Sequence, residues 1–341
     1  MDKILFVAQT ECDGSLSKTS LETLNAARTL AGKLNAPLCV GLVGADVQAA
    51  ADSLAGCCPD CFFGVSGDEF AQARYSTDAA ALAALCKASE ASIIIGAATS
   101  RMSRVLPGVA ARLGGRSDTG VTALAVADGK PMATRWYYRQ RMYAELTRQE
   151  RPWFISLATG CNAPYCCEAG SASVTAVPVE LPAGGVRTKV TSMICPSAEE
   201  QTIRPDASLL FVTGAGWTKK QADGVAHLEE AERIILQFLA KAQASLGTSK
   251  SLVDLSGEGQ QVMSFLTHMH QVGQTGATPR HAKGLATCCH GEEPHTVGWR
   301  FIGERRAINL DPNCGWAQGK ADVLYVADAF AVMRKILEMM S

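Results

Sequence analysis

The sequence predicts an α/β protein of two domains, the first built on a doubly wound parallel sheet. Four short apolar runs without alternation, at 4–8, 38–43, 61–65 and 92–96, read as strands buried on both faces. Helix-spaced stretches separate them, which is the pattern of repeated strand–helix–strand units. The chain has 341 residues, enough for two domains of ordinary size. Hydrophobicity falls between Cys195-Pro196 and Arg204-Pro205, and this stretch reads as a linker. The expected division is therefore 1–195, 196–205 and 206–341.

After the first strand, Leu24, Ala27, Leu30, Ala31 and Leu34 recur at helical spacing, with Ser20 as the expected N-cap. Further helices are expected at 47–54 and 77–88, and another through Leu106, Val109, Ala110 and Leu113. Thr99 and Ser100 open that last helix, as a simple cap or as an anion site. From Val121 the pattern becomes antiparallel: 121–126, a turn at Asp128-Gly129, then 132–138 and 142–146. Arg135, Arg139, Arg141, Arg148 and Arg151 crowd this region, as strand-edge charges or as a partner contact. A strand follows at 153–157, and extended segments at 174–179 and 186–194. The second domain opens with a strand at 209–213 running into Gly214-Ala215-Gly216, followed by a helix at 227–246. A last strand at 323–326 and a last helix at 330–340 close the chain.

A formal net charge of −1 and the lack of any basic run argue against a nucleic-acid partner. No apolar run reaches the roughly 18–20 residues of a membrane span. Met1 leads straight into a strand-like run, so no signal peptide is expected. The 13 cysteines are scattered through a long chain, which suits free thiols in a reducing cytoplasm. Cys57-Cys58-Pro59-Asp60-Cys61 contains a C-x-x-C, but Cys161 and the adjacent Cys166-Cys167 give poor geometry for a shared metal. No metal site and no hydrolase constellation is expected.

The densest chemistry lies between His270 and Asp322. Gln271-Val272-Gly273-Gln274-Thr275-Gly276 exposes backbone N–H groups without bulky side chains, as an ordinary turn or as a cradle for a diphosphate. It is followed by His290-Gly291, His295-Thr296-Val297-Gly298, Ala307-Ile308-Asn309-Leu310-Asp311-Pro312 and Ala321-Asp322. In this order the motifs resemble the C-terminal domain of the electron transfer flavoprotein alpha subunit family. Thr99-Ser100, Pro107, Ala110-Ala111-Arg112-Leu113 and Asp118 resemble its first domain.

The resemblance implies a flavodoxin-like C-terminal domain carrying FAD, and a first domain that serves as a scaffold against a beta subunit. It implies an electron carrier, taking electrons from a flavin dehydrogenase and passing them to a downstream acceptor. Gln271, Gly273, Gln274, Thr275 and Gly276 then face the ribityl and diphosphate portion, together with Gly214, Gly216, His290 and Gly291. Lys250 takes the place of an arginine lying over the flavin ring, and His295 approaches the flavin pyrimidine carbonyl. These two are the expected tuning residues. Asn309 and Asp322 hold the adenosine end. The chain departs from the family pattern at Gly216, where the family carries a phosphate-binding arginine, and at Ala277 and His290. The alternative is a subunit that kept the fold and binds an adenine nucleotide, or nothing, without redox chemistry.

Overall fold

The computed structural model describes residues 2–137, 142–192, 203–204, 207–254, 262–273, 278–287, 302–312 and 321–340. The chain divides into two compact units, 1–193 and 194–341.

The first unit is a nine-stranded sheet. Its parallel centre is β1 (Ile4–Gln9), β2 (Leu38–Gly44), β3 (Cys61–Ser66), β4 (Ile93–Ala97) and β8 (Trp153–Leu157). The antiparallel extension is β5 (Arg116–Ala127), β6 (Lys130–Tyr137) and β7 (Met142–Leu146), while β9 (Val174–Ala176) covers the far edge. The order is β7-β6-β5-β8-β4-β1-β2-β3-β9. Alternate residues of β1 enter two separate cores: Ile4, Phe6 and Ala8 face one side, Leu5 and Val7 the other. Burial on both faces is why these runs lack the alternation of a half-exposed strand.

Helices α1 (Lys18–Leu34) and α2 (Gln48–Ser53) cover the first face; α3 (Tyr75–Ser89) and α4 (Ser100–Arg112) cover the second. Helix α1 begins one turn earlier than expected. Ser17 is its N-cap and accepts from the Ser20 amide, while Ser20 itself is buried in the first turn. The segment 174–179 pairs only over its first three residues, and 186–192 forms no strand. That second stretch is rich in β-branched residues but almost wholly exposed, so it has no sheet face to pack on.

The second unit is a five-stranded parallel sheet: β10 (Leu209–Thr213), β11 (Ser245–Thr248), β12 (His281–Thr287), β13 (Ile302–Asn309) and β14 (Val323–Val326). The order is β11-β10-β12-β13-β14, so the winding reverses between β10 and β12. Helices α5 (Leu228–Ala242) and α7 (Ala329–Met339) pack on one face around Phe211, Phe238 and Phe330, joined by the short α6 (Lys250–Asp254). The helix expected at 227–246 stops at Ala242, where Gln243 turns left-handed and releases the chain into β11. Ile203 and Arg204, at the end of the expected linker, belong to this unit. Ile203 is buried beside Leu210 and Val212, and the Arg204 amide donates to Ser245 Oγ.

Candidate functional site

In an open parallel sheet, ligands sit beyond the carboxyl ends of the strands, at the point where the winding reverses. In the second unit that rim has an unusual composition. The last residues of β10, β11, β12 and β13 are Thr213, Thr248, Thr287 and Asn309, all polar and all buried. Their hydroxyls tie neighbouring strands together: Thr213 Oγ1 donates to the Gly247 carbonyl at 3.2 Å, and Thr287 Oγ1 to the Val212 carbonyl at 3.2 Å. Thr248 Oγ1 reaches the carbonyls of Thr213 and Ser249. The rim is a bonded polar layer, and the groups left to meet a ligand belong to the loops above it.

Gly214 follows β10 directly, and its amide donates across the sheet to the Thr287 carbonyl at 2.9 Å. A 3-10 turn over Ala215–Thr218 comes next, with Ala215, Gly216 and Trp217 all buried. The chain therefore offers no cationic side chain at Gly216. Beyond β11, Ser249 caps the short α6 by accepting from the Leu252 amide. Lys250 stands on its first turn with its side chain 57% exposed, 3.6 Å from the Asp254 carboxylate. His268 Nδ1 lies 3.9 Å from the other Asp254 oxygen.

Gln271 and Gly273 come to the same corner. Gln271 bridges in parallel to Thr248, and the Val272 amide donates to the Thr248 carbonyl. Gly247 permits this approach, since a Cβ there would stand 2.5 Å from Val272 Cγ2. Gly273 has φ +85°, a conformation that favours glycine, and its amide donates to Thr278 Oγ1 at 2.8 Å. Gln274, Thr275, Gly276, His290, Gly291 and His295 lie outside the described residues, as does Ala277.

Asn309 sits at the rim, and its side-chain oxygen accepts from the Asp311 amide. Asp322 does not join it. The register Arg306↔Val323 puts Asp322 just before β14, at the amino end of the strands, about 13 Å along the strand from the rim. There it accepts from the Arg305 amide at 2.6 Å and pairs with the Arg305 side chain. Those contacts, the amide foremost, hold its carboxyl below the usual range against the opposing effect of burial. The structure thus brings together Gly214, Gly216, Lys250, Gln271, Gly273 and Asn309, and separates Asp322 from them. Thr248 and Thr287 are rim residues that sequence reasoning missed because β11 and β12 were not recognised as strands, while Thr213 ends a strand that was recognised.

In the first unit, Thr99 acts as a plain N-cap, accepting from the Met102 amide, and Arg101 turns inward to Asp78. The crowded arginines also turn inward where they are described: Arg148 and Arg135 face Asp118, and Arg151 binds Asp2. Arg139 and Arg141 lie outside the described residues. Among the described residues no group of three or more His, Cys, Asp or Glu is arranged to hold a metal. Nor is any helix among them long and apolar enough to cross a membrane.

The sequence profile of the electron transfer flavoprotein domain matches residues 4–182. The chain belongs to the electron transfer flavoprotein family. Relatives in that family extend the likeness across both units. "Electron transfer flavoprotein subunit alpha" of Thermoanaerobacterium thermosaccharolyticum is 24% identical, over 98% of this chain and 97% of its own length. The protein of the same name from Clostridium acetobutylicum is 25% identical, over 98% and 96%. "Protein FixB" of Clostridium saccharobutylicum is 26% identical, over 96% and 91%. For a flavin dinucleotide, the rim of the second unit offers the buried carboxamide of Asn309 and the exposed cation of Lys250 beside the Gln271–Gly273 segment, while the Gly214 and Gly273 amides are bonded within the protein.

Proposed function

We propose that this chain is the flavin-carrying alpha subunit of an electron transfer flavoprotein, with FAD at the carboxyl rim of the second unit. The observation that carries this reading is the full-length likeness to proteins named as alpha subunits, which spans the second unit as well as the first. A beta subunit completes the heterodimer. A flavin dehydrogenase supplies electrons, and a downstream acceptor removes them. The work takes place in the cytoplasm, which suits the nine described cysteines, all free thiols.

When bound, the flavin supplies reversible electron storage. The residues of this chain bind and bias it. Gly214, Gly216, Gln271 and Gly273 bring bare backbone close to the diphosphate region, with Gln274, Thr275, Gly276, His290 and Gly291 completing that region. Lys250 and His295 favour negative charge developing on the ring. Asn309 meets the adenosine end, and the geometry disfavours Asp322 there.

A second reading, a subunit binding an adenine nucleotide without redox chemistry, is favoured by one observation: the buried Gly216 where the family pattern carries an arginine. The deciding experiment is co-purification with the beta subunit. A yellow complex that releases about one FAD per heterodimer on denaturation supports the first reading. A colourless complex that takes up no flavin from excess FAD overturns it.

A further inference from the structure

The winding of the second sheet reverses between β10 and β12, so a crevice opens there above the ends of two strands that are hydrogen-bonded to one another. One side chain ties the turn after β10 to the end of β12. Trp217 is fully buried, and its indole Nε1–H donates to Thr287 Oγ1 at 2.7 Å. The same hydroxyl donates to the Val212 carbonyl of β10, while the Gly214 amide donates to the Thr287 carbonyl. Thr287 is thus held from three directions by the strand end and turn of β10. On its far side the indole packs against Phe330 in the first turn of α7, with ring centroids 4.6 Å apart.

A turn carrying glycines at 214 and 216 has little conformational preference of its own. Packing an indole beneath it and bonding that indole to the neighbouring strand removes much of the freedom. Gln221 adds a second latch from outside, its amide nitrogen donating to the Gly216 carbonyl at 3.0 Å. A buried indole N–H needs a partner, and here the partner is a strand-end hydroxyl at the crevice.

We infer that Trp217 is a positioning residue for the cofactor turn: through Thr287 it holds Gly214–Gly216 in the shape that receives the dinucleotide. The inference rests on the reading that FAD occupies this rim. It adds that the affinity of this chain depends on an indole beneath the turn, where no cationic side chain stands at Gly216.

The test uses the full-length chain purified with its beta subunit. Trp217→Phe keeps a ring in the core and deletes the N–H; Thr287→Val keeps the shape and deletes the hydroxyl. Each should weaken FAD binding about tenfold, and the double variant should lose little more, because both break one link. Phe238→Leu, in the same core and away from the turn, serves as a control for general destabilisation and should leave affinity within about twofold. In flavin-free protein, amide exchange across 214–218 should quicken in both single variants and not in the control. If the parent binds FAD and both variants bind it equally well, the inference fails and the flavin reading stands. Affinity that falls equally in the Phe238→Leu control makes Trp217 merely structural and also overturns it. A parent complex that binds no FAD removes the flavin reading, and the inference with it.

Discussion

Arg148 holds Asp118 by two parallel bonds, Nε to Oδ2 and Nη2 to Oδ1, each 2.9 Å long. The same carboxylate accepts from the Trp153 indole at 2.9 Å and lies 3.7 Å from Arg135. Four segments meet at this one group: β5, β6, β8 and the chain after β7. It fastens the antiparallel extension to the parallel sheet. Burial alone would raise the pKa of Asp118, but Arg148, Trp153 and Arg135 outweigh it and the carboxyl stays below its usual value. Its stabilising contribution is therefore complete above the unfolded value of about 3.9 and is lost as pH falls through the lower folded value.

Arg148→Ala should lower the stability of the first unit by about 2 kcal/mol, read as a lower urea midpoint. Loss of one partner from a fully buried pair costs about 3–5 kcal/mol, and Arg148 is partly exposed, which reduces the effect. With the guanidinium gone, less opposes the burial of Asp118 and its carboxyl rises from the parent value, so acid unfolding should begin at higher pH than in the parent. An unchanged midpoint and acid profile would show that the clamp is decorative.

Lys250 stands exposed beside Asp254, and both facts weaken its reach. With FAD seated at this rim as proposed, a unit charge about 6 Å from its ring would be worth about 0.9 kcal/mol at an effective dielectric of about 60, or about 40 mV for one electron. Lys250→Ala should lower the reduction potential by about that amount. Asp254→Asn should raise it, because the lysine loses its counter-charge. Shifts of the same sign in both variants would show that neither acts through its charge.

The cysteines should divide by burial under alkylation. Burial pushes the Cys39 and Cys86 thiols up to about 12 and Cys57 up to about 11, leaving almost no thiolate at neutral pH. Cys12, Cys58 and Cys166 are exposed. With iodoacetamide at pH 7.5, mass spectrometry should find these three labelled at least about a hundredfold faster than the buried three. Comparable rates would mean that the buried thiols open readily to solvent.

Gly247→Ala should separate the Gln271–Gly273 segment from β11. The added methyl would meet Val272 at 2.5 Å, which forces that segment outward. FAD affinity should drop about tenfold or more, with a smaller loss of global stability. Wild-type affinity would place the segment away from the cofactor.

The first sheet was largely legible because β1 to β4 are apolar runs of large side chains. The second was not. His281-Ala282-Lys283-Gly284-Leu285-Ala286-Thr287 carries one large apolar residue, and β12 is buried through close approach instead. A Cβ on Gly284 would stand 2.6 Å from Ile302, so the glycine that weakens the strand signal is what admits its neighbour. In β11, Ser245-Leu246-Gly247-Thr248 continues the spacing of the preceding helix, which hid the strand. The positive φ of Gly273 and the local turn bond of Asn309 were readable from residue type. The displacement of Asp322 was not, since it depends on the register of β13 with β14. Pairing of Arg148 and Arg135 with a carboxylate 30 and 17 residues away is likewise a property of the folded sheet.

The hydroxyls that end β10, β11 and β12 bind carbonyls of the protein itself, which leaves the sheet chemically closed beneath its loops. Such a platform is indifferent to its cargo. Loops of other lengths and charges could be transplanted onto it without unpicking the ladder, so a lineage built on this sheet can change what it carries by editing connections alone. The same property makes the second unit a chassis for engineering, in which new recognition is written into the turns while the strands stay untouched.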